Sequence, residues 1–218
     1  MDLSIVIVNW NTKALTLECL RSIIEHAPPL SMEVIVVDNA STDGSQEAIK
    51  QSFANVLLIE NDSNLGYGKA CNIGIRASSA PFVALLNSDI ETLDNCLDVL
   101  VQFMRYSPNT AVVGPKILNP DRSVQDSCRN LPSLWNNLCS ALRLDAIFRG
   151  HPFFSGEHMF YFSHDARRFV DGLAGCFFLV RRAAIDEVGP MDERFFIYFE
   201  ETDWCRRFRA AGWQIAFE

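Results

Sequence analysis

The chain has no CxxC pair. Its seven cysteines, Cys19, Cys71, Cys96, Cys128, Cys139, Cys176 and Cys205, are scattered and odd in number. That spacing excludes a zinc cluster and a disulfide framework, and leaves buried thiols in a reducing cytosol as the expectation. There is no basic excess: 19 Lys and Arg stand against 27 Asp and Glu, for a formal net charge of −8. No stretch concentrates base enough to offset this, so binding to a nucleic-acid backbone is excluded. An anionic ligand would have to be held by something other than bulk charge. Long apolar runs are also missing; one of the longest, Leu173 to Val180, is far too short to span a bilayer. Met1 is followed by an acidic residue rather than a basic segment and a signal core, so the chain is expected to be soluble and cytoplasmic. The four histidines, His26, His151, His158 and His164, have no ligand spacing and read as lone surface residues. No Ser sits in a nucleophile-elbow context.

What is present is an ordinary globular composition, 49% hydrophobic and 21% charged over 218 residues, enough for one domain with a buried core. Strand-like runs at Leu3–Val8, Glu33–Val37, Val56–Ile59, Phe82–Leu86 and Ala111–Val113 alternate with helix-like segments at Ala14–Ile24, Ser45–Phe53, Lys69–Ala77 and Leu93–Met104. This alternation predicts an α/β fold with a mostly parallel central sheet flanked by helices. After Pro115 the pattern loosens. Asn119-Pro120-Asp121 signals a turn, and Leu131, Leu134, Trp135, Leu138 and Leu142 suggest an amphipathic helix. Regularity returns at Phe169, with a strand at Cys176–Val180 and helices over Arg182–Val188 and from near Glu201 to Gly212. Gln214–Glu218 looks like a strand in which the chain stops, so a domain cut short at its C-terminus is expected.

Ligands of open parallel sheets bind beyond the carboxyl ends of the strands. Here those ends are polar: Asn9-Trp10-Asn11, then Asp38-Asn39-Ala40-Ser41-Thr42-Asp43-Gly44, then Asn87-Ser88-Asp89. Ser41 to Gly44 read as a helix cap, whereas Asp38 and Asp89 each end or follow a buried strand and read as functional. In an extended segment Asn87 and Asp89 share one side, an oxygen pair suited to Mg²⁺ or Mn²⁺ bridging to a phosphate. Asn64-Leu65-Gly66-Tyr67-Gly68 precedes a helix and is either a tight turn or a close backbone approach to an anion. It is not GxGxxG, which disfavours a dinucleotide site. Asp192, Glu200, Glu201 and Asp203 form a second acidic cluster behind an aromatic run, Phe195 to Phe199. First helical turns favour acids, but adjacent carboxylates in a partly apolar setting also raise one another's pKa, as a general base requires.

Taken in order, Ser-Ile-Val-Ile-Val-Asn-Trp-Asn, Val-Ile-Val-Val-Asp-Asn-Ala-Ser-Thr-Asp-Gly-Ser, Asn-Leu-Gly-Tyr-Gly, Leu-Leu-Asn-Ser-Asp, Gly-Cys-Phe-Phe-Leu-Val-Arg-Arg and Asp-Glu-Arg-Phe-Phe-Ile-Tyr-Phe-Glu-Glu-Thr-Asp resemble the family 2 glycosyltransferases of GT-A fold, closest to bacterial rhamnosyltransferase-like members. The resemblance covers Leu3 to about Asn119 and Phe169 onward, and is weak over 120–168. It implies a single GT-A domain: a Rossmann-like nucleotide-sugar half over 1–119, a variable acceptor-side segment over 120–168 and a catalytic-base half over 169–218. It implies inverting transfer from a nucleoside-diphosphate sugar to a carbohydrate or lipid-linked saccharide hydroxyl, in surface polysaccharide synthesis. Asn9, Asn11, Asp38, Asn39, Gly66, Asn72 and Asn87 would hold the donor, with Asp38 on the base or ribose. Asp89 would ligate a divalent cation, Mg or Mn. Glu201 would be the base, with Glu200 and Asp203 as alternatives. Trp135, Phe148, Phe153, Phe154, Phe160, Tyr161 and Phe162 would stack on sugars, rest at the inner face of a membrane, or form core. A nucleotidyltransferase lacks its basic Gly-rich loop here, and a non-catalytic or truncated nucleotide-sugar-binding module is the competing reading.

Overall fold

The computed structural model describes all residues, Met1 to Glu218. The first half alternates as its hydrophobic pattern requires: β1 (Leu3–Asn9), α1 (Lys13–Glu25), β2 (Met32–Asp38), α2 (Ser45–Ser52), β3 (Val56–Glu60), α3 (Tyr67–Ala77), β4 (Phe82–Asn87), α4 (Cys96–Tyr106) and β5 (Thr110–Gly114). The second half is less regular. It contains β6 (Cys128–Arg129), α5 (Leu134–Ala141), α6 (Leu144–Ile147), a 3-10 turn at Pro152–Phe154, β7 (Arg168–Val170), β8 (Gly172–Leu173), β9 (Phe177–Arg181), α7 (Arg182–Val188), α8 (Glu200–Ala210) and β10 (Gln214–Phe217).

Eight strands make one sheet in the order β3-β2-β1-β4-β9-β5-β10-β7. β3, β2, β1 and β4 are parallel neighbours, with Leu3 opposite both Met32 and Phe82. β9 is inserted antiparallel between β4 and β5, and β10 runs parallel to β5 and antiparallel to the edge strand β7. The sheet is therefore mostly parallel, as expected. The reversal at β9 leaves no mark on hydrophobic periodicity, because a strand buried on both faces reads the same in either direction. β6 and β8 form a separate two-stranded ribbon.

Alternation along the strands feeds two cores. Val6, Ile35, Val37 and Leu85 meet Ala70 of α3 and Trp204 and Phe208 of α8. Ile5, Ile7, Val36 and Leu86 meet Leu20 of α1 and Leu97 and Leu100 of α4. Each such Val, Leu, Ile or Phe side chain contributes about 2 kcal/mol when fully buried, so the carboxyl ends of β1, β2 and β4 rest on a stiff base.

Several boundaries differ from the sequence reading. α3 starts at Tyr67 rather than Lys69, and α4 starts at Cys96, leaving Leu93 exposed ahead of it. All seven cysteines are free thiols, and burial pushes Cys71 and Cys205 up to about 12. His164 is not a surface residue. It is buried against the rings of Phe162 and Phe217, at centroid distances of 4.7 and 5.0 Å, and burial lowers its pKa. The stripe from Leu134 to Leu142 does form a helix, α5, but only Cys139 on it is buried. No helix is long and apolar enough to cross a membrane.

Candidate active site

The ends of β1, β2 and β4 lie side by side, and a hydrogen-bond network ties them together. The Asn9 amide donates to Asp38 Oδ1 at 2.5 Å and to Ser41 Oγ at 3.0 Å. Thr12 and Thr16 hydroxyls donate to Asn9 Oδ1, and Thr12 also contacts the Ser88 hydroxyl at 2.9 Å. Asp38 Oδ2 accepts from the Ser41 N–H at 2.9 Å and the Gln46 amide at 2.6 Å. Asp38 and Asn9 are completely buried. Their polar atoms shape the loop after β2. Asn11, exposed at the rim in a left-handed backbone conformation, accepts from the Thr42 N–H at 2.8 Å and fixes the same loop. Of Ser41 to Gly44, expected to cap α2, only Asp43 reaches an N–H of that helix, accepting from Ser45 as well as from Lys13, while Gly44 is the N-cap without a side chain and Ser41 and Thr42 bond Asn9 and Asn11.

Above this base is a cavity of about 280 Å³ lined by Trp10, Asn39, Gly66, Tyr67, Asn87 and Asp89 among others. Asn39 donates to the Gly66 carbonyl at 3.2 Å and accepts from Asn61 at 2.9 Å, so it shapes the wall. Gly66 has φ of +84°, and a Cβ there would come within 2.4 Å of the Phe196 carbonyl oxygen. That close approach lets Tyr67 donate its N–H to Phe196 at 2.8 Å and draws the loop before α8 over the cavity. Phe196 and Ile197 of that loop complete the lining. Trp10 and Tyr67 are absent from the expected set. The signal for Trp10 is an aromatic between two asparagines at a strand end, and its indole is 54% exposed. Asn72 is not at the cavity: it is buried on α3, donating to the Met191 carbonyl at 2.9 Å and accepting from the Met191 N–H at 3.0 Å. It clasps the connection to α8.

β4 ends at Asn87 and the chain turns, so Asn87 and Asp89 do not lie along one extended strand as expected. Both still line the cavity. Asp89 also borders a second cavity of about 440 Å³, which reaches toward Lys116, Asn119 and Arg122 of the turn after β5.

The acidic cluster separates into three environments at the start of α8. Asp203 is engaged with Arg207 at 2.7 Å, which also donates to the Pro190 carbonyl; this is a strap between helices, not a free base. Glu200 is buried against α3, its Oε2 has no partner, and burial followed by the charge of Glu201 pushes it up to about 7. Glu201 is half-buried, and burial raises its pKa above the usual carboxylate range. Its stem lies against Gly175: a Cβ on that residue would be 3.2 Å from Glu201 Cγ. The Gly175 carbonyl accepts from the Tyr67 hydroxyl at 3.2 Å, and the next carbonyl, of Cys176, accepts from the Asn87 N–H at 3.0 Å. The Gly175-Cys176 segment thus lies between Glu201 and two residues of the cavity wall, with Glu201 itself outside the cavity lining.

A divalent cation needs hard oxygen ligands. The Asp89 carboxylate is exposed in the crevice, and no group of three His, Cys, Asp or Glu is gathered to cage an ion. The residues fit a cation held by one carboxylate and completed by phosphate oxygens and water, and do not fit an all-protein cage.

Residues 4–189 match the profile of Glycosyl transferase family 2. An N-acetylglucosaminyl-diphospho-decaprenol L-rhamnosyltransferase of Mycobacterium tuberculosis is 34% identical over 193 residues, covering 84% of this chain and 62% of the relative. A low-salt glycan biosynthesis hexosyltransferase of Haloferax volcanii is 27% identical over 213 residues, covering 95% of the chain and again 62% of the relative. The chain thus spans less than two thirds of the length of these relatives. Among solved structures, S. aureus TarS 1-349 in complex with UDP-GlcNAc superposes with a TM-score of 0.67 at 17% identity, over 100% of this chain and 56% of that one. The mannosyltransferase PcManGT of Pyrobaculum calidifontis, in complex with GDP-Man and Mn²⁺, gives 0.65 at 17% identity, over 99% and 56%. These likenesses show the fold, which is the GT-A architecture.

Proposed function

The chain belongs to glycosyl transferase family 2, and on that premise we propose that it transfers a sugar, with inversion, from a nucleoside-diphosphate sugar to a saccharide hydroxyl in cell-surface polysaccharide synthesis. The observation that carries this reading is the link from Glu201 through Gly175 and Cys176 to the cavity wall at Tyr67 and Asn87, with the Asp89 carboxylate lining the same cavity. Glu201 stands behind Gly175, one segment from the cavity wall, and Asp89 lines the cavity itself; the reading takes the first as the base and the second as the anchor for a diphosphate.

In this reading the 1–119 half binds the donor, 120–168 faces the acceptor and 169–218 supplies the base. The exposed Trp10 indole offers a face on which a base stacks, and Asn39, Gly66 and Asn87 border the rest of the nucleotide. Asp89 would hold a Mg²⁺ or Mn²⁺ ion, which when bound neutralises charge on the departing diphosphate. Glu201 accepts the acceptor hydroxyl proton while that oxygen attacks the anomeric carbon opposite the leaving diphosphate. One displacement inverts the centre, and no covalent enzyme intermediate forms. Burial suits Glu201 to this work, because a raised pKa brings a carboxylate toward neutrality. The M. tuberculosis relative is named for a sugar diphosphate on a decaprenol, so a lipid-linked saccharide is the acceptor class we favour.

The test is a panel of nucleotide-sugars with Glu201→Gln and Asp89→Ala. Glu201→Gln is expected to lower transfer by about 100-fold or more while nucleotide binding persists; wild-type turnover in that variant would remove Glu201 as the base. Asp89→Ala is expected to abolish the Mn²⁺ dependence of nucleoside-diphosphate binding measured by calorimetry. Donor binding by the wild-type chain without transfer or hydrolysis would instead leave a binding module.

A further inference from the structure

α5 leaves an apolar line in solvent. Leu134, Leu138 and Leu142 follow at four-residue spacing, and all three are exposed, Leu134 at 91%. Ile147 (67% exposed), Phe148 and Phe153 continue the line across α6 and the following turn. This face is ordered: the Trp135 indole N–H donates to the Phe153 carbonyl at 2.7 Å, and the rings of Phe148 and Phe154 stack at 4.7 Å. The strap behind it is pinned by Asn130, which donates to the Gly156 carbonyl at 2.9 Å.

Two cations stand within this segment. Arg143 and Arg149 are exposed and neither joins an ion pair, although the Arg149 guanidinium lies over the Phe160 ring at 4.7 Å, in a chain whose formal charge is −8. The neighbouring acid, Asp145, is held by the Ser140 hydroxyl at 3.0 Å and the Ala146 N–H at 2.8 Å and keeps its charge, so the segment from Leu134 to Phe154 is left with one net positive charge. An aliphatic and aromatic face carrying unpaired arginines is complementary to an anionic lipid surface, where acyl chains take the apolar groups and phosphates take the guanidinium groups. A second copy of the chain is less suited, because a twofold contact on this face would set the same arginines against one another.

We propose that α5, α6 and the following turn seat the protein on an anionic lipid bilayer, with Leu134, Leu138, Leu142 and Ile147 entering the headgroup boundary. The placement has a consequence that rests on the transferase reading. The segment pairs through Arg129 and His158 onto β6, β6 pairs with β8, and β8 leads into Gly175 beside Glu201. Seated this way, the protein brings the acceptor side of the crevice to the surface that would hold a lipid-linked saccharide.

The experiment is co-sedimentation of the chain with vesicles of phosphatidylglycerol and phosphatidylcholine, against phosphatidylcholine alone. The wild-type chain is expected to pellet with the anionic vesicles, less so in high salt. Leu134→Ser with Ile147→Ser is expected to weaken this by about tenfold or more, with an unchanged melting temperature. Arg143→Gln with Arg149→Gln is expected to erase the preference for anionic lipid. Failure of the wild type to pellet, equal pelleting by the Ser variant, or a soluble dimer that this variant dissolves would each overturn the proposal. Binding of a nucleoside diphosphate by each variant, measured without vesicles, keeps the two readings apart. If it is absent in the wild type the transferase reading fails, whatever the vesicles show; if it is present while pelleting is absent, only the membrane proposal fails.

Discussion

At the carboxyl ends of β1 and β2, polar side chains are buried and bond to one another; along α5 and α6, apolar side chains such as Leu134 and Ile147 stand largely in water. The first arrangement is internally complete, since Asp38, Asn9, Ser41 and Gln46 satisfy each other without a ligand. The second is incomplete, since exposed Leu134 and Ile147 gain nothing from the fold around them. A satisfied buried network gives shape to a crevice that other residues, Trp10 and Asp89 among them, line. An exposed apolar face is where, on the proposal above, something outside the chain adds stability. The two regions therefore differ in what a substitution removes: folding free energy in one, an external contact in the other.

The sharpest contrast is between two aspartates at neighbouring strand ends. Asp38→Ala takes an acceptor from the Asn9 amide, which keeps Ser41 Oγ, and from the part-buried Gln46 amide and Ser41 N–H. At about 1–3 kcal/mol per unsatisfied group, tempered by local relaxation, the expected loss is about 4 kcal/mol. Asp89→Ala, at an exposed position, is expected to change stability by no more than about 0.5 kcal/mol. Urea denaturation of both variants at one pH measures the difference; equal losses would erase the distinction between a shaping carboxylate and a working one.

Glu200 extends the comparison to a carboxylate that is buried yet unsatisfied. Its pKa stands at about 7 in the folded protein against an ordinary 4.5. Between those values the native state holds a proton that the unfolded chain has lost. Stability from this group is therefore full below pH 4.5 and falls as pH rises through about 7. Each tenfold difference in proton affinity between the folded and unfolded chains is worth about 1.4 kcal/mol, so the fall is on the order of 3 kcal/mol. Glu200→Gln cannot ionise, so its unfolding free energy is expected to stay flatter than the wild type's between pH 5 and 8. Parallel pH profiles for the two proteins would show that Glu200 is already charged in the fold.

How much of this was legible beforehand follows from where each partner lies in the chain. β1 to β5 stand out because β-branched runs report strands locally, and Asp89 stands out because it follows one. The burial of Asp38 depends on Asn9, in another strand, and the clasp of Asn72 depends on Met191, more than a hundred residues away. No local pattern carries either pairing. His164 is hidden between Phe162 and Phe217 for the same reason. The stripe from Leu134 to Leu142 is legible as a helix, but periodicity reports that an apolar face exists, not what covers it. α4 and α5 share that periodicity, yet α4 buries Leu97, Leu100 and Val101 while α5 buries only Cys139.

Asn72 tests whether the network logic holds away from the strand ends. Its amide bonds both the N–H and the carbonyl of Met191 and also reaches Glu193 at 3.1 Å, which anchors the turn before α8. Asn72→Ala is expected to cost about 2 kcal/mol and to weaken transfer through the position of Glu201 while leaving nucleotide affinity intact. Loss of nucleotide affinity alone would return Asn72 to the donor site.

The smallest expected effect is the most discriminating for the other region. Leu134→Ser removes apolar surface from a side chain that water already surrounds, so little transfer free energy is lost on folding. Ser is a slightly poorer helix former than Leu, by a few tenths of a kcal/mol. The unfolding free energy of Leu134→Ser is therefore expected within about 0.5 kcal/mol of wild type, whereas Leu100→Ala on α4 is expected to cost about 2–5 kcal/mol. A loss at Leu134 as large as that at Leu100 would mean that α5 packs against the body of the protein in solution, and the face would then be core rather than a seat for lipid.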